Sequence, residues 1–438
     1  MALLVQKFGG SSLSNPERIK RIAQQLANQK NQSHELVVVV SAMGHMTDAL
    51  LRLARRVTSH PNQREMDMLL TAGERISMTL LAMSLADLGT KAISFTGSQG
   101  GIITTGDHTH AQILRVNTQR ILNELANGHI VIVAGFQGVS ETKEVTTLGR
   151  GGSDTSAVAL AIALQADRCE IYTDVEGICT ANPKIVPQAR VIRSLSHHEA
   201  MELAHLGGKM HPRSMTLARR YQKEVWIGGA HCRATHGTRV TSEGRTGALE
   251  NKRGNVDMQT LEKEEVTSIA TQNGFCGLKL QGRKVAQYLD QLAPLEIHPY
   301  FLQITDRELT CLFKAEHEQQ ASEILSQLPL QTDASAKMVP DLGTVGVVGH
   351  NVARPHILTT ILRDVDACHA SLFLFLTHPL SVTLAIPRKA VAPLAQQLHV
   401  HFFGANQLTE PLSLVSSELP REEPPNFAAE NAMRSDLR

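Results

Sequence analysis

Leu36 to Val40 is an unbroken apolar run, almost all of it β-branched, and such a run marks a strand covered on both faces in a parallel sheet. Strand patterns alternate with helical ones through the first half of the chain. Strands are expected at Ala2 to Phe8, Lys91 to Thr96, Ile130 to Ala134, Glu170 to Thr173 and Val225 to Ile227. Helices are expected at Pro16 to Gln29, Asp48 to Ser59, Glu65 to Leu88 and Ala111 to Asn127. This alternation implies βαβ units with right-handed crossovers, hence a three-layer α/β fold with a mostly parallel central sheet. Ligands in such folds sit beyond the carboxyl ends of the strands, here Phe8 to Ser12, Ser41 to Thr47, Gly135 to Gly138 and Thr173 to Gly177.

The run Thr147-Leu148-Gly149-Arg150-Gly151-Gly152-Ser153-Asp154-Thr155 places a cation, adjacent glycines and a capping pair directly ahead of the apolar stretch Val158 to Leu164. Ser153 or Asp154 is expected to cap a helix running to about Gln165, whose free N–H groups and positive dipole end favour a carboxylate or phosphate. Arg150 adds a planar fork that fits a carboxylate. One such turn is as often a plain connection. A second stands at the front of the chain, where Lys7 and the backbone N–H groups of Gly9 and Gly10 are placed to meet phosphate oxygens.

With 43 basic and 42 acidic residues, bulk charge points to no nucleic acid or membrane surface, so a small-molecule partner is expected. Cys169, Cys179, Cys232, Cys276, Cys311 and Cys368 include no C-x-x-C pair, which argues against both a disulfide framework and a zinc ribbon. The histidines, including His197, His198, His205 and His211, match no zinc signature, and no metal site is expected. No segment approaches the roughly 20 apolar residues of a membrane span, and the front end is too short for a signal peptide; a cytoplasmic location is expected.

Residues 247–264 are polar and turn-rich, the composition of a linker that would close a first domain at residues 1–246. Over 265–410 the order strand, helix, strand, strand, helix occurs twice, with helices expected near 284–292, 319–328, 356–365 and 390–398 and a final strand at Val400 to Phe403. The segment 418–438 is rich in Pro and Glu and reads as a disordered tail.

Four motifs lie in a set order: Lys7-Phe8-Gly9-Gly10-Ser11-Ser12, Ala72-Gly73-Glu74-Arg75-Ile76-Ser77, the run around Arg150, and Thr173-Asp174-Val175-Glu176-Gly177. Together they resemble the aspartate kinase family of the amino acid kinase superfamily, and the region after the linker resembles that family's tandem βαββαβ ACT domains. The resemblance implies transfer of a phosphoryl group from ATP, with Mg²⁺, to the side-chain carboxylate of L-aspartate. The product is 4-phospho-L-aspartate, at the entry to lysine, methionine and threonine biosynthesis. It assigns Lys7 and Asp174 to catalysis, and Thr47, Glu74, Phe136, Arg150, Gly151, Gly152 and Ser153 to the acceptor, with Glu74 on its ammonium. It assigns Lys7, Phe8, Gly9, Gly10, Ser11, Thr173, Asp174, Lys184, Lys209 and Met210 to the nucleotide. It further implies an amino-acid effector and a homodimer or higher homo-oligomer through the ACT-like region.

Taken singly, several of these residues have plainer roles: Lys7 as a solvated strand end, Glu74 as a surface charge, Thr173-Asp174 as a turn cap. Departures from the family pattern fall on the nucleotide side: Cys179 in place of a tyrosine, Asn182-Pro183-Lys184 in place of Asp-Pro-Arg, and a shortened Lys209 to His211 segment. They motivate one alternative, a non-catalytic amino-acid sensor; a superfamily kinase acting on another acidic amino acid is a second. In the ACT-like half, Gly349 to Pro355 and Thr377-His378-Pro379 are bulkier than the family's effector turns, so feedback inhibition is open.

Overall fold

The computed structural model describes residues 2–230, 236–242, 244, 265–282, 299–327 and 335–404. The expected linker at 247–264, the helix at 284–292, the tail at 418–438 and Cys232 lie outside the described residues. The chain begins β1 (Leu3–Phe8), α1 (Pro16–Asn31), β2 (Glu35–Val40), α2 (Met46–Val57), α3 (Gln63–Leu70), α4 (Ala72–Asp87) and β3 (Ala92–Phe95). It continues with β4 (Ile102–Thr104), β5 (Ile113–Val116), α5 (Gln119–Ala126), β6 (Ile130–Ala134), β7 (Gln137–Ser140), β8 (Val145–Thr147), α6 (Gly152–Ala163) and β9 (Arg168–Thr173). Next come β10 (Ser194–Ser196), α7 (His197–His205), α8 (Pro212–Arg220), β11 (Val225–Gly229) and β12 (Thr238–Thr241).

These strands form an eight-stranded sheet in the order β10-β12-β11-β9-β1-β2-β6-β3, parallel from β11 to β3 with β12 antiparallel to β11. Side chains alternate between its faces, and both faces are apolar. Val5, Val37, Val39, Val131 and Val133 meet Val158, Leu160 and Ala161 of α6 on one side. Leu4, Leu36, Val38, Val40 and Ile132 meet Ile22 and Leu26 of α1 and Leu81 and Leu85 of α4 on the other. That two-sided burial is why the β2 run carries no polar residue, each fully buried side chain contributing about 1.5–3 kcal/mol. A smaller sheet, β5-β4-β7-β8, lies on the path from β6 to α6.

Three expected elements differ. The helix at 111–127 is β5 followed by α5: Ile113 and Val116 pair with β4, and the Asn117 N–H donates to the Gly101 carbonyl (2.8 Å), which ends the strand before the helix starts. The helix at 65–88 divides at Thr71, whose hydroxyl donates to Met68 O (3.0 Å) and whose carbonyl accepts the Gln137 amide (3.2 Å).

The third lies in the second half, which holds β13 (Glu265–Gln281), β14 (Phe301–Ile304), β15 (Glu308–Lys314), α9 (Glu318–Gln327), β16 (Ser335–His350), α10 (Pro355–Ala367), β17 (Leu374–His378), β18 (Ser381–Pro387) and α11 (Arg388–Phe403). The strand expected at 400–403 is the last turn of α11. Phe403 stacks on His399 one turn back (4.7 Å between centroids), continuing the buried stripe of Leu394, Ala395 and Leu398. The two α/β repeats share one antiparallel sheet, β14-β15-β13-β16-β18-β17, because β13 and β16 are long enough to pair with each other as well as with their own repeats.

Phe8 is fully buried and stacks on Tyr172 of β9 (4.7 Å, 3° between planes). Phe8→Ala is expected to lower unfolding free energy by about 3–5 kcal/mol in denaturant titration; a loss under 1 kcal/mol would mean that the β1–β9 seam does not support the core.

Candidate functional site

The carboxyl ends of the central strands are stitched into one edge. Gly9 N–H donates to Tyr172 O at the end of β9 (3.3 Å), Ser41 N–H to Phe8 O at the end of β1 (3.1 Å), and Gly135 N–H to Val40 O at the end of β2 (3.0 Å). The turn after β1 therefore lies beside the exits of β2, β6 and β9. Gly10 is obligatory there, since a β-carbon on it would sit 2.7 Å from Ala42 O, and its carbonyl accepts the Gly44 N–H (2.9 Å). Thr47 follows this contact at the half-buried start of α2.

Lys7 crosses this edge. Its Nζ lies 2.6 Å from Asp154 Oδ1, and both side chains are nearly buried, at 11% and 12% exposure. Asp154 sits in the first turn of α6, so this ion pair draws the two glycine turns to a common cleft. The cap expected from Ser153 or Asp154 is absent: Gly151 occupies the N-cap at φ 67° without a side-chain bond, because the Asp154 carboxylate is committed to Lys7. Composition alone could not separate these roles, since an acid in a first helical turn serves either.

Arg150 is exposed, bracketed by Gly149 (φ 76°) and Gly151 (φ 67°). The turn that carries it is held from below. Asp67 of α3, fully buried, accepts the Thr147 hydroxyl (2.5 Å), the Thr109 N–H (3.1 Å) and a bond with His108 Nδ1 (2.8 Å). Arg213 of α8 donates to Leu148 O (2.5 Å) and Ala111 O (3.0 Å). Phe136 adopts φ 67°, a strained value for a bulky residue, fixed by its N–H to Ser156 Oγ (3.1 Å) and its carbonyl from Leu148 N–H (2.8 Å). Its ring packs where a β-carbon of Gly152 would be.

Glu74, in the first turn of α4, is 3% exposed. Its Oε1 accepts the Ala42 N–H (3.1 Å), while Oε2 is buried without a partner. Burial pushes its carboxyl up to about 7, the bond from Ala42 opposing the shift. A buried carboxylate half-satisfied at a strand exit is ready for a cationic group.

On the β9 side, Lys209 Nζ lies 3.3 Å from both oxygens of Asp174, and the Thr173 hydroxyl donates to Asp174 Oδ1 (3.0 Å). Partial burial alone would raise the Asp174 carboxyl; Lys209 and Thr173 outweigh it and hold it below the usual range. Ser11 lies exposed, its carbonyl accepting Arg18 (2.6 Å). Phe8 and Met210 turn their side chains into the core, leaving main chain to face a ligand. Lys184 is exposed on a turn whose neighbouring Ile185 carbonyl accepts Gln396 of α11 (2.8 Å), so its segment is docked on the second half. Asp67 and Arg213 were missed in the sequence reading, and Asp154, read there only as a cap, carries a local signal in its place in the Gly-Gly-Ser-Asp run.

A lysine ammonium paired with the first turn of α6 beside a glycine turn, at the carboxyl edge of a parallel sheet, fits a phosphotransferase. Residues 2–229 match the amino acid kinase family. The aspartokinase of Geobacillus stearothermophilus is 36% identical over 92% of this chain and 97% of its own, and that of Corynebacterium glutamicum is 39% identical over 92% and 96%. The Mycolicibacterium smegmatis aspartokinase is 56% identical over 229 residues, 52% of this chain and 54% of that protein. Escherichia coli aspartokinase III, solved with aspartate and ADP, superposes with a TM-score of 0.75 at 21% identity, covering 92% of this chain and all of that one. The chain belongs to the aspartokinases, within the amino acid kinase family.

Because the folded-state pKa of Glu74 is raised, its contribution to stability is fully present below about 4.5 and is lost as pH rises through about 7. Glu74→Gln is therefore expected to gain about 3 kcal/mol relative to the parent between pH 4.5 and 8 in urea titrations; parallel pH curves would show Glu74 to be ionised without cost.

Proposed function

We propose that the chain transfers the γ-phosphoryl group of ATP to the side-chain carboxylate of L-aspartate, giving 4-phospho-L-aspartate. The observation that carries this assignment is the buried Lys7–Asp154 pair, 2.6 Å long, which fixes an ammonium between the two turns. A carboxylate oxygen attacks the γ-phosphorus, the bond to the β-phosphate oxygen breaks, and ADP leaves with its electron pair. The acceptor is already ionised at neutral pH, so no general base is needed; positioning and cations are. Lys7 and the Gly9-Gly10 amides serve the phosphates, with Thr173, Asp174 and Lys209 beside them. Arg150 takes an acceptor carboxylate. Glu74 takes its ammonium, which favours the ionised form of a carboxyl poised near neutrality. Thr47, Phe136 and Gly151 to Ser153 line the same pocket.

The carboxylates of Asp154 and Asp174 are both engaged by lysines. Mg²⁺ accompanying ATP would be held mainly by phosphate oxygens and water and would supply neutralisation of phosphate charge. The boundary near residue 246, assembly of the tandem unit into a homodimer, an amino-acid effector on that unit and a cytoplasmic location complete the proposal. Among the described residues no helix is long and apolar enough to cross a membrane.

A coupled ADP-release assay with aspartate, glutamate and N-acetylglutamate tests the acceptor; preference for either of the latter two overturns it. Arg150→Ala is expected to raise KM for aspartate about 10- to 100-fold, the worth of a charged hydrogen bond, with a smaller effect on kcat. An unchanged KM would remove Arg150 from the acceptor site.

A further inference from the structure

His211 lies between two segments that the proposed function gives to different substrates. It follows Lys209 and Met210, and its main chain opens α8, where its carbonyl accepts the Ser214 N–H (3.1 Å) and hydroxyl (2.7 Å). Its ring rests against the Arg150 turn: a β-carbon built on Gly151 would overlap the ring carbons Cγ and Cδ2. Nδ1 is buried with no hydrogen-bond partner. Burial holds the imidazole below its ordinary pKa, with Asp154 opposing the shift and Arg213 and His205 adding to it. A ring that gives up a hydrogen bond in this place is held for its shape, since an orphaned buried nitrogen costs stability on its own account. The platform beneath it is firm, because Arg213, two residues on, ties α8 to Leu148 O and Ala111 O.

We infer that His211 is a positioning residue: its ring is the seat of the Gly149–Gly152 turn and the mechanical link between the Lys209 segment and Arg150. The inference rests on the assignment of Arg150 to the acceptor. A ligand that orders the Lys209 segment then also orders the Arg150 turn, so nucleotide and acceptor bind with positive coupling that passes through this contact. No proton transfer is required of the imidazole.

The test measures kcat and KM for aspartate, and the aspartate Kd with and without ADP, in the full chain. His211→Ala is expected to raise aspartate KM about tenfold while kcat changes less than about threefold, and to bring the ADP-dependence of aspartate affinity close to none. His211→Phe keeps the ring's footprint and is expected to recover most of the affinity and the coupling. Thermal melts identify variants that fold. If His211→Ala does not fold, His211→Phe decides: recovered affinity supports the seat, and a tenfold loss in a folded His211→Phe overturns it. An unchanged aspartate KM and coupling in folded His211→Ala also overturn it. Arg150→Ala, measured in parallel, separates the two levels: no effect there removes the acceptor assignment itself, whereas a raised KM there with a silent His211→Ala removes only the role of His211.

Discussion

One ion pair organises the catalytic half of the molecule. Lys7 lies one residue before the end of β1, one of the two central strands of the eight-stranded sheet, and Asp154 lies in the first turn of a helix nearly 150 residues later. Burying an ammonium is costly unless a counter-charge meets it, and Asp154 is that counter-charge. The pair therefore sets where α6 begins, which in turn sets where Gly151 and Arg150 stand. An exposed lysine in the same place would be free to swing; a nearly buried one presents its charge at a fixed point above the strand exits.

Close backbone approach does the remaining assembly. Gly10 against Ala42, Gly73 against the Ala42 side chain, Gly135 against Ser153 and Gly152 against Phe136 each leave no room for a β-carbon. These contacts pull the exits of β1, β2 and β6 and the start of α6 within reach of one small ligand. The second half is fastened to the same machinery through α7. Glu199 accepts the Thr267 hydroxyl of β13 (2.6 Å), Glu202 accepts that of Ser381 of β18 (3.0 Å), and Thr180 meets His399 of α11 (3.0 Å). Helix α7 leads directly into Leu206, which packs where a β-carbon of Gly346 would be, and then into Lys209.

Much of this was legible in the sequence for definite reasons. The β2 run and its neighbours announced a sheet buried on both faces, and the glycine turns announced their own location at strand exits. What stayed hidden was long-range. Nothing near Asp67 shows that its carboxylate holds Thr147, and nothing near Asp154 shows that its partner is Lys7 rather than its own helix. The β5 segment read as helix because its apolar spacing suits both periods, and pairing with β4 decided the matter. Val400 to Phe403 read as strand for the same reason, and packing of Phe403 on His399 decided it the other way. The joined six-stranded sheet depends on the length of β13 and β16, which local patterns do not bound.

The most direct measurement is a double-mutant cycle on the pair that holds the cleft together, with kcat read for Lys7→Met, Asp154→Asn and the combined variant. Acting as one unit, the two residues should each cost about 100- to 1,000-fold, and the combined variant little more than either alone. Losses that multiply in the combined variant would show two independent contributions and contradict the account.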